Sequence, residues 1–139
     1  MRSKLVFCCL VVVTASSGCR TSDVRDVLDM PLAPASGATL EDVEHAIQLG
    51  AQRSGWRATP MKAGVMLASR TKPPHVAVVL VRYDLRSFSI RYHNSQLLRY
   101  SGKEIHKTYN SWVRDLEEAI PVAVREGAGK AENPRADAH

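Results

Sequence analysis

The chain has 139 residues and a formal net charge of +5, and 24% of its residues are charged. That length allows one domain of ordinary size with a single hydrophobic core. The positive charge is too small to indicate a nucleic-acid-binding protein, and three cysteines are too few for a disulfide-stapled scaffold.

Residues 1–18 have the three-part plan of a secretory signal peptide. Arg2 and Lys4 form a basic head, residues 5–13 are apolar, and residues 14–18 are small or carry hydroxyl groups. The apolar run is about half as long as the roughly 20 residues that a membrane-spanning helix needs, so we expect the segment to be cleaved. Its removal would leave 17 basic and 14 acidic side chains, a net charge of +3.

The sequence at residues 16–19, Ser-Ser-Gly-Cys, resembles the lipobox of bacterial lipoproteins, with Ser16 where that family usually has an aliphatic residue. The resemblance implies cleavage before Cys19, whose sulfur would carry a diacylglycerol and whose amino group would carry a further acyl chain such as palmitate. Arg20, in place of an Asp, implies sorting to the outer membrane. The alternative is an ordinary signal peptide cut near Ala15 or Gly18, which would leave Cys19 as a free thiol.

The number of cysteines favours the lipid. Cys8 and Cys9 lie in the apolar run and would leave with it, so Cys19 would have no partner for an internal disulfide. A lone thiol is reactive in an oxidising compartment, whereas a thioether is inert. Several acyl chains on one residue would attach the protein durably, since each buried methylene adds about 0.8 kcal/mol of membrane affinity.

After the signal peptide, the sequence divides into three parts. Residues 19–38 contain several Pro and Gly residues and little apolar periodicity, which predicts the lipidated cysteine on a flexible tether. Such a tether would reach about 25 Å as a loose coil. Residues 39–126 carry the apolar patterns of a folded domain, and residues 127–139, rich in Gly, Ala and charged residues, predict a disordered tail.

Residues 39–126 predict an α+β domain. Thr39 begins an amphipathic helix with capping-box spacing to Asp42, and Gly55 ends it. Four strands are predicted at residues 56–61, 65–71, 75–83 and 86–93, and residues 94–107 predict a loop with one short ordered piece. A second helix has Pro121 near its expected end and one apolar stripe: Tyr109, Val113, Leu116 and Ile120. We therefore expect an antiparallel sheet of about four strands with two helices on one face.

This order of elements is similar to that of a group of small bacterial lipoproteins. The likeness covers residues 40–120 and rests on Gly55-Trp56 after the first helix and on the run Ile105-His106, Tyr109-Asn110 and Trp112-Val113 at the second. It implies a compact α+β domain. It implies no activity, because none is established for that group.

Sequence motifs for catalysis or cofactor binding are absent. The five histidines show no H-x-H or H-x-x-x-H spacing, so we expect no metal site. There is no G-x-S-x-G nucleophile motif and no glycine-rich phosphate loop, and Asp84 with Glu104 makes only a weak carboxylate pair. We therefore expect no cofactor and no enzymatic activity.

The charge distribution and the third strand indicate a candidate contact surface. Residues 53–107 carry eleven basic and two acidic side chains, whereas both helices are acidic. With a two-residue turn at residues 84–85, Val81 faces Phe88 and Val79 faces Ile90 on the core side. The opposite side then presents an apolar patch with a basic rim: Val78, Leu80, Arg82, Arg91 and His93. The alternative is that loop residues cover this side and that the basic residues only solvate the sheet.

These observations predict a non-enzymatic lipoprotein anchored to the outer membrane, with its domain in the periplasm. Its expected partners are the membrane, through the lipid, and an envelope protein or anionic envelope component; nucleic acid is not expected. One alternative is a lipid-anchored enzyme or enzyme subunit with a site near His93, His106 and Tyr109. Another is a self-associating structural lipoprotein.

Overall fold

A computed structural model describes residues 20–132, so the predicted signal peptide, Cys19 and residues 133–139 lie outside the described residues. The chain is α+β, as the sequence predicts. The described elements follow in the order β1 (Thr21–Asp23), β2 (Val27–Pro31), α1 (Leu40–Arg53), β3 (Arg57–Lys62), β4 (Val65–Lys72), β5 (His75–Tyr83), β6 (Ser87–Gln96), β7 (Glu104–His106) and α2 (Lys107–Glu132).

The main sheet is antiparallel and has five strands in the order β2-β6-β5-β4-β3. A second sheet pairs β1 with β7. Alternate residues on one side of the main sheet are fully buried under the two helices, among them Met66, Val79, Val81 and Ile90. The predicted arrangement of two helices on one face is therefore confirmed, and the sheet has one strand more than expected.

The first helix begins as its sequence predicts. The Thr39 hydroxyl accepts from the Asp42 backbone N–H (3.2 Å), and the Asp42 carboxylate accepts from the Thr39 backbone N–H (2.8 Å). The Asp42 carboxylate accepts from the backbone N–H and from the hydroxyl of Thr39 (2.9 Å), and these two hydrogen bonds lower the pKa of Asp42 because both favour the ionised carboxylate. The helix ends at Arg53, and Gly55 follows with φ +80°, a conformation that glycine adopts without strain.

The second helix is longer than predicted. Pro121 lies inside it and does not end it, and the helix continues through Glu132, so the tail predicted from residue 127 is wrong for residues 127–132. A proline in a helix interior costs about 3 kcal/mol. Here the buried stripe continues beyond it through Ala123 and Val124, and this packing offsets the cost.

The predicted tether is also wrong for residues 20–31, which form β1 and β2. Ser22 lies opposite Ile105, and Val27 lies opposite Ile90 and is only 3% exposed. β1 has no apolar residue, and Asp29 interrupts the apolar residues of β2, so neither short strand produces a visible alternation. Their partner strands lie far along the chain, and local sequence patterns do not indicate pairing between such distant segments.

The turn between β5 and β6 shifts the predicted pairing by two residues. Val81 lies opposite Ile90, and Val79 lies opposite Tyr92. The cause is Asp84, whose carboxylate accepts from the backbone N–H groups of Arg86 (2.7 Å) and Ser87 (2.8 Å) and so stabilises a longer turn. These bonds lower the pKa of Asp84. Because the shift is even, the side chains of β5 and of residues 87–92 stay on their predicted sides of the sheet.

Candidate functional site

The side of the main sheet away from the helices, here called the outer face, has no described helix over it. Its centre is apolar and half-buried. Antiparallel pairing places the following side chains on it: Arg57, Thr59 and Lys62 from β3, Val65, Leu67, Ser69 and Thr71 from β4, Val76, Val78, Leu80 and Arg82 from β5, and Ser89, Arg91 and Asn94 from β6.

The register sets aliphatic and basic side chains next to each other on the outer face. Leu80 lies between Leu67 on β4 and Arg91 on β6. Arg82 lies between Val65 and Ser89 in the neighbouring row. Directly opposed side chains in a sheet are about 5 Å apart at Cβ. The stems of Arg82 and Arg91 therefore border an aliphatic strip, while their guanidinium groups extend into solvent. The aliphatic strip consists of Val65, Leu67, Val76, Val78 and Leu80.

The outer face is positively charged. Its four basic residues, Arg57, Lys62, Arg82 and Arg91, are exposed. Within residues 20–132 none of them takes part in an ion pair, since the recorded pairs join Arg25, Arg53 and Arg70 to acids of α2.

Asp29 on the edge strand β2 places an acid at the rim of the outer face. Its backbone N–H donates to the Ser89 hydroxyl (2.9 Å). The face therefore has four positive charges with one negative charge at its rim, which favours an anionic ligand over a cationic one.

The structure brings together four of the five residues that the sequence indicates for contact. Val78, Leu80, Arg82 and Arg91 share the outer face, whereas His93 is the extra residue of a bulge, between the pairs Val79–Tyr92 and Val78–Asn94. His93 is exposed and has no residue directly opposite it on β5. Sequence patterns missed Arg57 and Lys62, because their place depends on the pairing of β3 with β4.

The residues of the alternative enzyme site have different surroundings. His106 stacks on His75, with ring centroids 6.0 Å apart, and Tyr109 packs edge-on against Tyr92 at 5.7 Å. Burial and nearby positive charge lower the pKa of His106, and burial raises the pKa of Tyr109. No hydrogen bond or aromatic contact within residues 20–132 joins His93 to either residue.

An apolar groove lies elsewhere, where residues 34–38 meet both helices. It has a volume of about 530 Å³ and is lined partly by His45, Leu49 and Val124. No polar or charged residue in the described chain is fully buried, so the groove offers no enclosed polar group to orient a ligand. Among residues 20–132 there is also no group of three or more His, Cys, Asp or Glu that could hold a metal ion.

Comparisons with protein-family models, with curated proteins and with solved structures found no match to this chain. Within the part of the chain that the structure describes, no helix is long and apolar enough to cross a membrane. The functional argument therefore depends on the N-terminal sequence and on the geometry of the outer face.

Proposed function

We propose that this protein is a lipid-anchored envelope lipoprotein without enzymatic activity, and that its outer face binds an anionic component of the cell envelope. The lipid would be attached at Cys19 and would hold the protein to the outer membrane, with the domain in the periplasm. The observation that carries the binding role is the uncovered aliphatic strip bordered by four cations without ion-pair partners in residues 20–132.

An anionic polymer or an acidic protein surface fits this face better than a neutral partner. The arginine guanidinium groups would form paired hydrogen bonds with carboxylates or phosphates, while the aliphatic strip would cover apolar parts of the same ligand. The contacts need no movement of the backbone, because the sheet holds the side chains in fixed register. Self-association through this face is disfavoured, since two copies would bring eight positive charges together.

The absence of a long tether limits where the partner lies. Thr21, the first residue of β1, is two positions after Cys19. A globular unit of this size is about 35 Å across. The outer face would therefore meet its partner within roughly that distance of the membrane surface.

The anchor is tested by intact mass and membrane fractionation of the expressed protein beside a Cys19→Ala variant. We expect the wild type to carry acyl mass and to sediment with outer membranes, and the variant to be released. A wild type that is soluble and carries no acyl group would exclude the anchor.

The binding face is tested by co-sedimentation of the protein with purified cell-wall sacculi. Removal of two cations in Arg82→Ser/Arg91→Ser should weaken binding by about 30-fold, because a basic side chain near an anionic surface contributes about 1 kcal/mol. The matched control, Arg114→Ser/Arg125→Ser, removes the same charge from exposed positions on α2. Equal binding by both double variants would exclude the outer face, and so would binding that is insensitive to salt.

A further inference from the structure

A second surface lies beside the first described residue of the chain. The Lys107 backbone N–H donates to the carbonyl of Arg20 (2.9 Å), and β1 pairs with β7 immediately after it. Arg20 is one residue from Cys19, the residue on which the proposed lipid anchor depends. Any surface that covers this end of the domain must therefore leave room for the acyl chains that would enter a bilayer there.

The loop between β6 and β7, residues 97–103, projects from this end and is here called the anchor-side loop. It holds two of the largest exposed apolar side chains in the described chain, Leu97 (67% exposed) and Tyr100 (43% exposed). Between them Leu98 is only 1% exposed and fixes the loop to the core. The loop therefore presents apolar groups outward from a fixed base.

Hydrogen bonds to two of its backbone carbonyls hold the anchor-side loop in this conformation. The Leu97 carbonyl accepts from Nδ1 of His75 (2.9 Å), and the Leu98 carbonyl accepts from the His106 backbone N–H (2.8 Å). Leu97 and Arg99 both have left-handed backbone conformations, with φ of +56° and +54°. Non-glycine residues adopt that conformation at a cost, so the surrounding contacts must maintain it.

Tyr100 is held by a second contact. Its ring stacks on that of Tyr92, with centroids 4.0 Å apart, and its hydroxyl donates to the Gly102 carbonyl (3.3 Å). A tyrosine with one covered ring face and a hydrogen-bonded hydroxyl suits the boundary between lipid headgroups and acyl chains, where aromatic residues concentrate.

Basic side chains surround these apolar groups. Arg99, Lys103 and Lys107 are exposed around Leu97 and Tyr100, and Arg20 lies next to them. The His75 and His106 rings stack with centroids 6.0 Å apart, and the hydrogen bond from the Lys107 N–H holds Arg20 at the residue that follows His106. The acids at this end are Asp23 and Glu104, which lie opposite each other across β1 and β7, and the exposed Asp26, two residues after Val24, whose N–H donates to the Lys103 carbonyl. Cations therefore outnumber acids by one among these seven charged groups.

We propose that the anchor-side loop is a membrane contact: Leu97 and Tyr100 insert into the headgroup region of the bilayer that holds Cys19, and the cations of the loop, Arg99 and Lys103, bind anionic phospholipid headgroups. This proposal rests on the lipid anchor of the proposed function. A bilayer is the occupant because one residue separates the acylated position from the ordered domain, which keeps this surface at the membrane at all times. The contact would fix the orientation of the domain and leave the outer face free.

The test places an environment-sensitive fluorophore at residue 97. Cys8 and Cys9 leave with the signal peptide and Cys19 is acylated, so a cysteine introduced by Leu97→Cys is the single reactive thiol of the mature protein. The matched control is Leu85→Cys, which is 44% exposed in the turn at the other end of β5. Nine residues of strand separate the two ends, about 30 Å.

Each acylated, labelled protein is reconstituted into vesicles of phosphatidylethanolamine and phosphatidylglycerol that contain a quencher attached to the acyl chains. We expect a blue shift at residue 97 and quenching at least about twofold stronger than at residue 85, because the label at residue 97 would lie about 5–10 Å below the headgroup surface. A label at residue 97 that behaves like the one at residue 85 would overturn the proposal.

The charge contribution is tested with the same label in vesicles with and without phosphatidylglycerol. Arg99→Ser/Lys103→Ser should abolish the stronger quenching seen with anionic lipid, and Arg114→Ser/Arg125→Ser on α2 should retain it. Equal effects of the two double variants would overturn the headgroup contact. Intact mass of each sample distinguishes failure of the contact from failure of the anchor. Acylated protein with an unquenched label refutes the contact alone. Protein without acyl mass refutes the anchor and the contact together.

Discussion

Asn110 in the first turn of α2 hydrogen-bonds the N-terminal segment to the domain. Its replacement by alanine tests whether these bonds hold residues 20–26 in place. Its Oδ1 accepts from the Arg25 backbone N–H (2.9 Å). Its Nδ2 donates to the Ser22 hydroxyl and to the Asp23 carbonyl, both at 2.8 Å. The strand that these bonds support has only three residues, so its pairing with β7 is weak by itself.

Asn110→Ala removes these three hydrogen bonds. Each hydrogen bond has a net value of about 1 kcal/mol, and the groups left unpaired add some cost. The free energy needed to open residues 20–26 locally should therefore fall by about 2–4 kcal/mol. That corresponds to a factor of roughly 30–1,000 in the opening equilibrium. Global stability should change less, because Val27 and the core beyond it remain packed.

The assay is native-state hydrogen exchange at two amides that report on this segment. The Val24 N–H donates to the Lys103 carbonyl and the Lys107 N–H donates to the Arg20 carbonyl, both at 2.9 Å. Both should lose protection in Asn110→Ala. The control is Asn94→Ala, whose side chain bonds only the adjacent Ser95 N–H among the described residues. Less than about a fivefold loss at Val24 would refute the fastening role, since one hydrogen bond alone would account for it.

Three further predictions concern stability. Gly50→Ala should destabilise the protein by about 1–2 kcal/mol in urea unfolding, because its Cβ would come within 3.0–3.2 Å of the α2 backbone. Gly127→Ala is also in a helix, but its Cβ would have nothing within 4 Å, so it should stabilise the protein by up to about 1 kcal/mol. A stability change of the same sign in both variants would contradict the close approach of α1 to α2. Tyr109→Phe should raise stability by about 1 kcal/mol, because the buried hydroxyl has no hydrogen-bond partner among the described residues. A loss of similar size would mean that the hydroxyl is satisfied. His106 has a pKa below its ordinary value, and its Nδ1 accepts from the Thr108 N–H (3.2 Å), which requires a neutral ring. The unfolded chain therefore binds this proton more readily, and stability should fall as the pH drops through about 6.5. His106→Gln should flatten that slope, and an unchanged slope would contradict the assignment.

The helix caps and the central strands were predictable because their signals are local. The Thr39–Asp42 capping box and Gly55 bound α1 within a few residues of its observed ends. β5 is apolar on both sides, so its core side was identified from the expected turn at residues 84–85, which pairs it with the alternating residues 86–93, and an error of two residues in pairing left that side unchanged. The same pairing placed Val78 and Leu80 on the face away from the core.

The elements that sequence patterns missed depend on contacts between distant residues. β1 carries no apolar residue and β2 is only five residues long, and their pairing with β7 and β6 is the main reason that they are strands. The helix beyond Pro121 depends on packing against the core, which outweighs the local cost of proline. The two outer-face cations on β3 and the exposed groups of the anchor-side loop have no sequence signature, since sheet order and loop conformation bring them to their surfaces.

The pairing of β1 with β7 also bears on the order in which the fold forms. Thr21 hydrogen-bonds Glu104, 83 residues further along the chain, so β1 has no partner until most of the chain has emerged. Contacts of such long separation form late in folding, because closing the intervening loop is entropically costly. If the chain is exported with its N-terminus first, as the proposed function implies, residues 21–23 would stay unpaired while the rest is translocated. In the proposed lipoprotein, that interval would leave Gly18-Cys19 accessible to membrane-bound acylating and cleaving enzymes before β1 pairs with β7.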